Sequence, residues 1–119
     1  MNEKKALSLL SIAQKARAVA SGNFAVEQAI RSGAARIVIV ATDASENALR
    51  DIQNITFHYG VPLRQVGTKE TLGRAIGKQE RVTAAILEDG LADAFDKAVG
   101  GETAAPLRES KQGNNETYE

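Results

Sequence analysis

The 119-residue sequence has no cysteine, one histidine and no surplus of charge, and each shortage removes a class of chemistry. Without cysteine there can be no disulfide framework, no thiolate metal site and no cysteine nucleophile. A zinc site built on a histidine pair is excluded, and a Ser-His-Asp arrangement would have to be assembled around His58 alone. His58 falls near the C-terminal end of a predicted helix, where the dipole suits a surface imidazole without any chemistry. No apolar run approaches the length of a signal peptide or membrane span, and the chain opens on Glu3, Lys4 and Lys5. A cytoplasmic location and no membrane partner are the expectation. Fifteen Lys plus Arg balance fifteen Asp plus Glu. That zero sum speaks at first against nucleic acid, whose binding rests on neutralising phosphates.

The distribution reverses the impression. Residues 1–86 hold 12 basic and 7 acidic groups, net +5, and the remainder holds 3 and 8, net −5. Local potential acts over a Debye length of roughly 8 Å in physiological salt, so a basic body can attract an anion while the total is zero. With 43% hydrophobic residues the chain can bury one core, expected over residues 1–100 as a single domain. From Glu102 onward only Leu107 and Tyr118 offer sizeable apolar groups, so residues 101–119 are predicted to be a disordered tail.

Periodicity predicts alternating helices and strands. Residues 3–16 carry Leu7, Leu9, Leu10, Ile12, Ala13 and Ala16 at helical spacing. A brief strand is predicted over Arg17–Ala20, and a second helix follows Gly22, carrying Val26, Ala29 and Ile30 and stopping at Gly33. Arg36–Ala41, with its unbroken β-branched run, reads as a strand covered on both faces. Thr42, Asp43 and Ser45 offer caps for the next helix, whose core face is Ala48, Leu49, Ile52, Ile55 and Tyr59 before Gly60 ends it. A strand over Val61–Val66 leads to a short helix capped by Thr68 and stopped by Gly77. Val82–Leu87 is the last strand, and Leu91, Ala94, Phe95 and Ala98 stripe the last helix. The predicted fold class is α/β, a three-layer αβα sandwich around a small mixed sheet with right-handed crossovers.

Enzyme motifs fail on spacing or context. Gly73 to Lys78 approaches a phosphate-binding loop, but three residues separate the glycines where four are required. Gln79 also stands where Ser or Thr would bind magnesium, and the second glycine closes a helix instead of opening one. Glu88 and Asp89 sit where the last helix begins, which dipole placement explains. No catalytic group, metal site or cofactor is predicted.

Four stretches in order, SGNFAVEQAIRSG, ARIVIVATDASEN, HYGVP and ETLGRAIGK, precede a Val-led last strand. Together, from Gly22 to Asp89, they resemble the kink-turn-binding ribosomal protein family of the large subunit, relatives of ribosomal protein L-thirty-e. The resemblance implies an αβα sandwich, usually a monomer, that recognises internal loops in which tandem sheared G·A pairs bend an RNA duplex. It implies that three segments converge on RNA: the start of the second helix, the loop after the central strand and the loop before the last strand. A helix start supplies unpaired N–H groups and positive potential for phosphates, and a bent duplex opens base edges that the A-form major groove hides.

Carried over by residue, the resemblance assigns RNA contact to Gly22, Asn23, Phe24 and Gln28, to Asp43 and Ala44, and to Lys78, Arg81, Val82 and Thr83. Phe24 suits core or staple packing as well as base stacking, with packing favoured at a helix start. The family pattern of Gly, any residue, Asn, Glu, two residues, then Lys is matched only at Gly22. Phe24, Ala25 and Gln28 occupy the Asn, Glu and Lys positions. Losing a charged hydrogen bond costs on the order of 1.5–3 kcal/mol, so weakened kink-turn affinity is expected. The sequence thus reads as a non-enzymatic, ribosome-associated structured-RNA binder. The alternative is a protein-interaction adaptor that keeps the fold and has lost RNA binding.

Overall fold

The computed structural model of the chain describes residues 1–100, and the predicted tail over 101–119 lies outside them. In chain order the elements are α1 (Glu3–Lys15), β1 (Val19–Ser21), α2 (Asn23–Arg31), β2 (Ile37–Val40) and α3 (Glu46–Tyr59). β3 (Leu63–Gln65), α4 (Lys69–Ala75), β4 (Thr83–Ile86) and α5 (Asp89–Ala98) follow. Caps fix most helix starts. The Asn2, Ser45 and Glu88 side chains accept the backbone N–H of Lys5, Ala48 and Leu91 at 3.0, 3.1 and 2.7 Å. Thr68 and Thr71 form a reciprocal capping box on α4.

The four strands lie in the order β1-β4-β2-β3. β4 runs antiparallel to both β1 and β2, while β2 and β3, joined through α3, are parallel, so the sheet is mixed. Side chains alternate across it, as a period of two requires. Ile37, Ile39, Ala84 and Ile86 pack with Leu10 of α1, Leu72 of α4 and Phe95 of α5. Val38, Val40 and Ala85 pack with Val26 and Ile30 of α2 and Ile52 of α3. The result is the predicted αβα sandwich, with three helices on one face and two on the other. Every residue of β2 is buried, which is why the Ile-Val run is unbroken.

Local details depart from the sequence reading. The strand expected at Arg17 begins at Val19, because Arg17 turns left-handed (φ 61°) to close α1. Its N–H donates to the Gln14 carbonyl at 2.9 Å, and the Ala18 N–H donates to that of Ala13 at 2.9 Å. Ile12 and Tyr59, expected on core faces, are 51% and 42% exposed. Of the three caps expected on α3 only Ser45 serves it. The Thr42 hydroxyl donates to the Gly67 carbonyl at 2.7 Å, and Asp43 is used elsewhere.

Two ion pairs consume acidic groups of the C-terminal part. Arg64 on β3 is buried and donates to both carboxylate oxygens of Asp96 on α5, at 2.7 and 3.4 Å. Arg36 meets Asp89 at 3.1 Å where β2 and α5 begin. The Arg36–Asp89 pair lies at the end of the sheet opposite the one where β1 and β2 finish and β4 starts, while the Arg64–Asp96 pair ties β3 to the last turn of α5.

Candidate nucleic-acid interface

The register Ser21 with Ala84 and Val40 with Thr83 brings three loop regions to one end of the sheet: the start of α2, the loop between β2 and α3, and the loop between α4 and β4. At the first, Gly22 is the residue before α2, with φ 89° and ψ 155°, a conformation that glycine adopts without strain. No side chain caps this helix. The Gly22 carbonyl accepts the Val26 N–H at 3.0 Å, and the N–H groups of Asn23, Phe24 and Ala25 have no partner among the described residues. They give this end of α2 donors and positive potential directed outward.

The start of α2 is tied to the start of β4. The Gly22 N–H donates to the Thr83 carbonyl at 3.1 Å, and the Thr83 hydroxyl donates to the Asn23 amide oxygen at 3.2 Å. Thr83 is itself buried, so its hydroxyl orients the exposed Asn23, whose amide nitrogen has no partner among the described residues. Arg81 reinforces the junction. Its Nε donates to the Ser21 hydroxyl at 3.3 Å, and its Nη1 donates to the Glu80 carbonyl at 3.0 Å. Ser21, Gly22, Asn23, Glu80, Arg81 and Val82 line an open cleft of 310 Å³.

Lys69, which sequence reasoning missed, braces the other two loops. Its N–H donates to the Asp43 carboxylate at 2.9 Å, and its carbonyl accepts the Arg81 N–H at 3.0 Å. Asp43 therefore caps the first residue of α4 across 26 positions instead of capping α3. Its short-range neighbours could not reveal that partner. Ala44 is half-buried against the core formed with α2 and α3, and Val82 packs against the same core. Lys78 is exposed, and its N–H donates to the Gly73 carbonyl at 2.8 Å. Gly73 permits this: a Cβ there would overlap the Gln79 carbonyl. The loop carrying Lys78 to Arg81 lies directly on the α4 backbone.

Phe24 overturns the expectation of packing: it is 75% exposed, beside the free N–H groups of α2. Gln28 is exposed about one and a half turns into α2, and Glu27 and Arg31 on the same helix pair at 3.1 Å. That hydrogen bond, and then Tyr59, hold the Arg31 guanidinium above its ordinary pKa, so its charge is committed at the far end of α2. His58 is exposed at the end of α3, edge-on to Tyr59 with ring centroids 5.0 Å apart. Among the described residues no three metal-binding side chains gather, and no helix is long and apolar enough to cross a membrane. The gathered groups are free N–H donors, an oriented amide, a solvent-facing ring and a loop carrying Lys78 and Arg81 beside Glu80. Such a surface can bind phosphates and stack a base.

Comparison with known proteins agrees with this architecture. RNA-binding protein YlxQ from Bacillus subtilis (strain 168) is 38% identical over 85 residues, 71% of this chain and 85% of that one. RNA-binding protein YlxQ from Enterococcus faecium is 30% identical over 100 residues, 84% and 96% of the two chains. Among solved structures, a protein of unknown function from Bacillus halodurans C superimposes with a TM-score of 0.77 at 33% identity, covering 80% of this chain and 96% of that one. The Giardia lamblia 15.5kD RNA binding protein superimposes with a TM-score of 0.67 at 26% identity, over 80% and 82%. The sequence model of ribosomal protein L7Ae/L30e/S12e/Gadd45 family matches residues 4–95, and with that coverage the chain belongs to this family.

Proposed function

We propose that the chain is a non-enzymatic, ribosome-associated protein that binds structured RNA as a monomer, gripping a kinked duplex at the end of the sandwich where α2 and β4 begin. The observation that carries this reading is the uncapped start of α2, with three free N–H groups beside Asn23, fixed by Thr83 to the Lys78–Thr83 loop. Phosphate oxygens suit the N–H groups and the Lys78 ammonium. The Asn23 amide, oriented before RNA arrives, offers donors to a base edge, and Phe24 offers a stacking face of about 1–3 kcal/mol per base. Val82 closes the apolar side of the cleft, and Arg81 holds its wall in shape. Support also comes from the YlxQ proteins and the Giardia protein, whose names describe RNA binding.

Affinity is lower than in relatives with a carboxylate and an ammonium on this helix, because Ala25 and Gln28 supply no charge. The same two residues motivate the second reading, an adaptor that has lost RNA. Titration against a kink-turn RNA and a straight duplex of equal length, at two salt concentrations, tests both. Tighter binding to the kinked RNA at both salts is expected. Equal, weak and steeply salt-dependent binding to the two RNAs contradicts kink recognition, and no binding to either leaves the adaptor reading.

A further inference from the structure

The interface described above accounts for cations on the loops but not for those on the adjoining helical layer. α1 and α5 bring three lysines to the same end of the sandwich. The Asn2 N–H donates to the Ala98 carbonyl at 2.6 Å, so the start of α1 lies against the end of α5. The level of this corner follows from its neighbours. Just past the end of α1, the Ala18 carbonyl accepts the Leu87 N–H at 2.8 Å, beyond the far end of β4. Its opposite end therefore lies toward the start of β4. Leu7 confirms this, since its side chain lies against Gly67, whose carbonyl accepts the Thr42 N–H at 2.7 Å beside the β2–α3 loop. Lys4 is three residues, about 4.5 Å of helix rise, beyond Leu7 in that direction.

Lys4, Lys5 and Lys97 are all exposed, and none enters an ion pair among the described residues. Glu3 is the acidic residue in the first turn of α1. On α5 Asp96 is committed to the buried Arg64, and Asp93, one turn before Lys97, makes no ion pair with it. Lys69, which braces the candidate interface, opens α4, and α4 packs on α1 through the core that Leu72 and Leu10 share. Ammonium groups without an ion pair among the described residues thus stand at the interface on Lys69 and at the adjoining corner on Lys4, Lys5 and Lys97. Lysine ammoniums on flexible stems suit phosphates of a regular duplex, which present charge at many positions and demand no single geometry.

We infer that Lys4, Lys5 and Lys97 form a second contact surface, which holds the phosphates of the duplex stem flanking the kinked loop. This rests on the RNA-binding reading above, and it adds a dependence on stem length. The surface contributes affinity without sequence preference, because phosphate contacts carry no base information.

The test uses the full chain, a kink-turn RNA whose flanking stem exceeds one helical turn, and the same RNA with that stem cut below half a turn. K4Q, K5Q and K97Q are combined, and circular dichroism checks that the variant folds. On the long-stem RNA the variant is expected to bind about tenfold more weakly, with a salt slope lower by about one for each lysine that meets a phosphate. On the short-stem RNA it is expected to match the unmodified protein. Unchanged affinity for the long-stem RNA overturns the inference, as does an equal loss on both RNAs, which would reflect diffuse attraction. Failure of the unmodified protein to bind either RNA overturns the underlying reading instead.

Discussion

Replacing Gly73 by alanine is expected to destabilise this protein, although alanine is the better helix former. Gly73 lies inside α4, where the exchange would by propensity alone stabilise by about 0.8–1 kcal/mol. The added Cβ, however, would overlap the Gln79 carbonyl and come within 3.1 Å of the Glu80 Cα. Both are backbone atoms and cannot rotate away. If the loop stays, overpacking costs about 1–3 kcal/mol. If it lifts, the Lys78 to Gly73 and Arg81 to Lys69 backbone hydrogen bonds are lost, at about 1 kcal/mol each. Taken at about 2 kcal/mol, either route outweighs the propensity gain and leaves a net loss of about 1 kcal/mol, and the second also displaces the loop from the start of α2. Urea denaturation reads the stability, and amide chemical shifts of Lys78 to Arg81 read the displacement. A variant as stable as the parent, with those shifts unmoved, would refute the close approach of loop and helix.

Gln28→Lys restores an ammonium at the family position and is expected to raise affinity for a kinked RNA by about tenfold, with little change on a straight duplex. A titration showing no gain on the kinked RNA removes residue 28 from the interface. Asp96→Ala leaves the Arg64 guanidinium buried without its partner and is expected to cost about 2–3 kcal/mol, below the fully buried case because the Asp96 side chain is 35% exposed. Arg64→Met leaves no buried charge and is expected to cost less in the same denaturation assay. The reverse order would contradict the desolvation argument.

Features set by near neighbours in sequence were legible. The all-buried β2, the helix starts at Ser45, Thr68 and Glu88 and the stop at Gly60 each depend on residues within one turn. Features set by tertiary approach were not. Asp43 has the composition of a local cap, and its real partner, Lys69, arrives only when β2 and β3 pair. Asn23 and Thr83 are 60 positions apart, and nothing in either stretch announces their bond. Phe24 was expected inside because aromatic rings pack well at helix starts, yet the core behind α2 is already filled by Val26, Ala29 and Ile30. Lys69 acts through its backbone, which no residue type advertises. The uneven charge along the chain was legible, but the partners of Asp89 and Asp96, Arg36 and Arg64, were set by the packing of α5 on the sheet.

The central claim, that RNA sits where α2 and β4 begin, is tested most directly by ultraviolet crosslinking of the bound RNA followed by mass spectrometric mapping of the attached residues. Phe24 stands exposed at the middle of the expected footprint. The account predicts crosslinks at Asn23 and Phe24 and within Lys78–Thr83. Crosslinks confined to the opposite end of the sheet, around Arg17, Arg36 and Asp89, would contradict it.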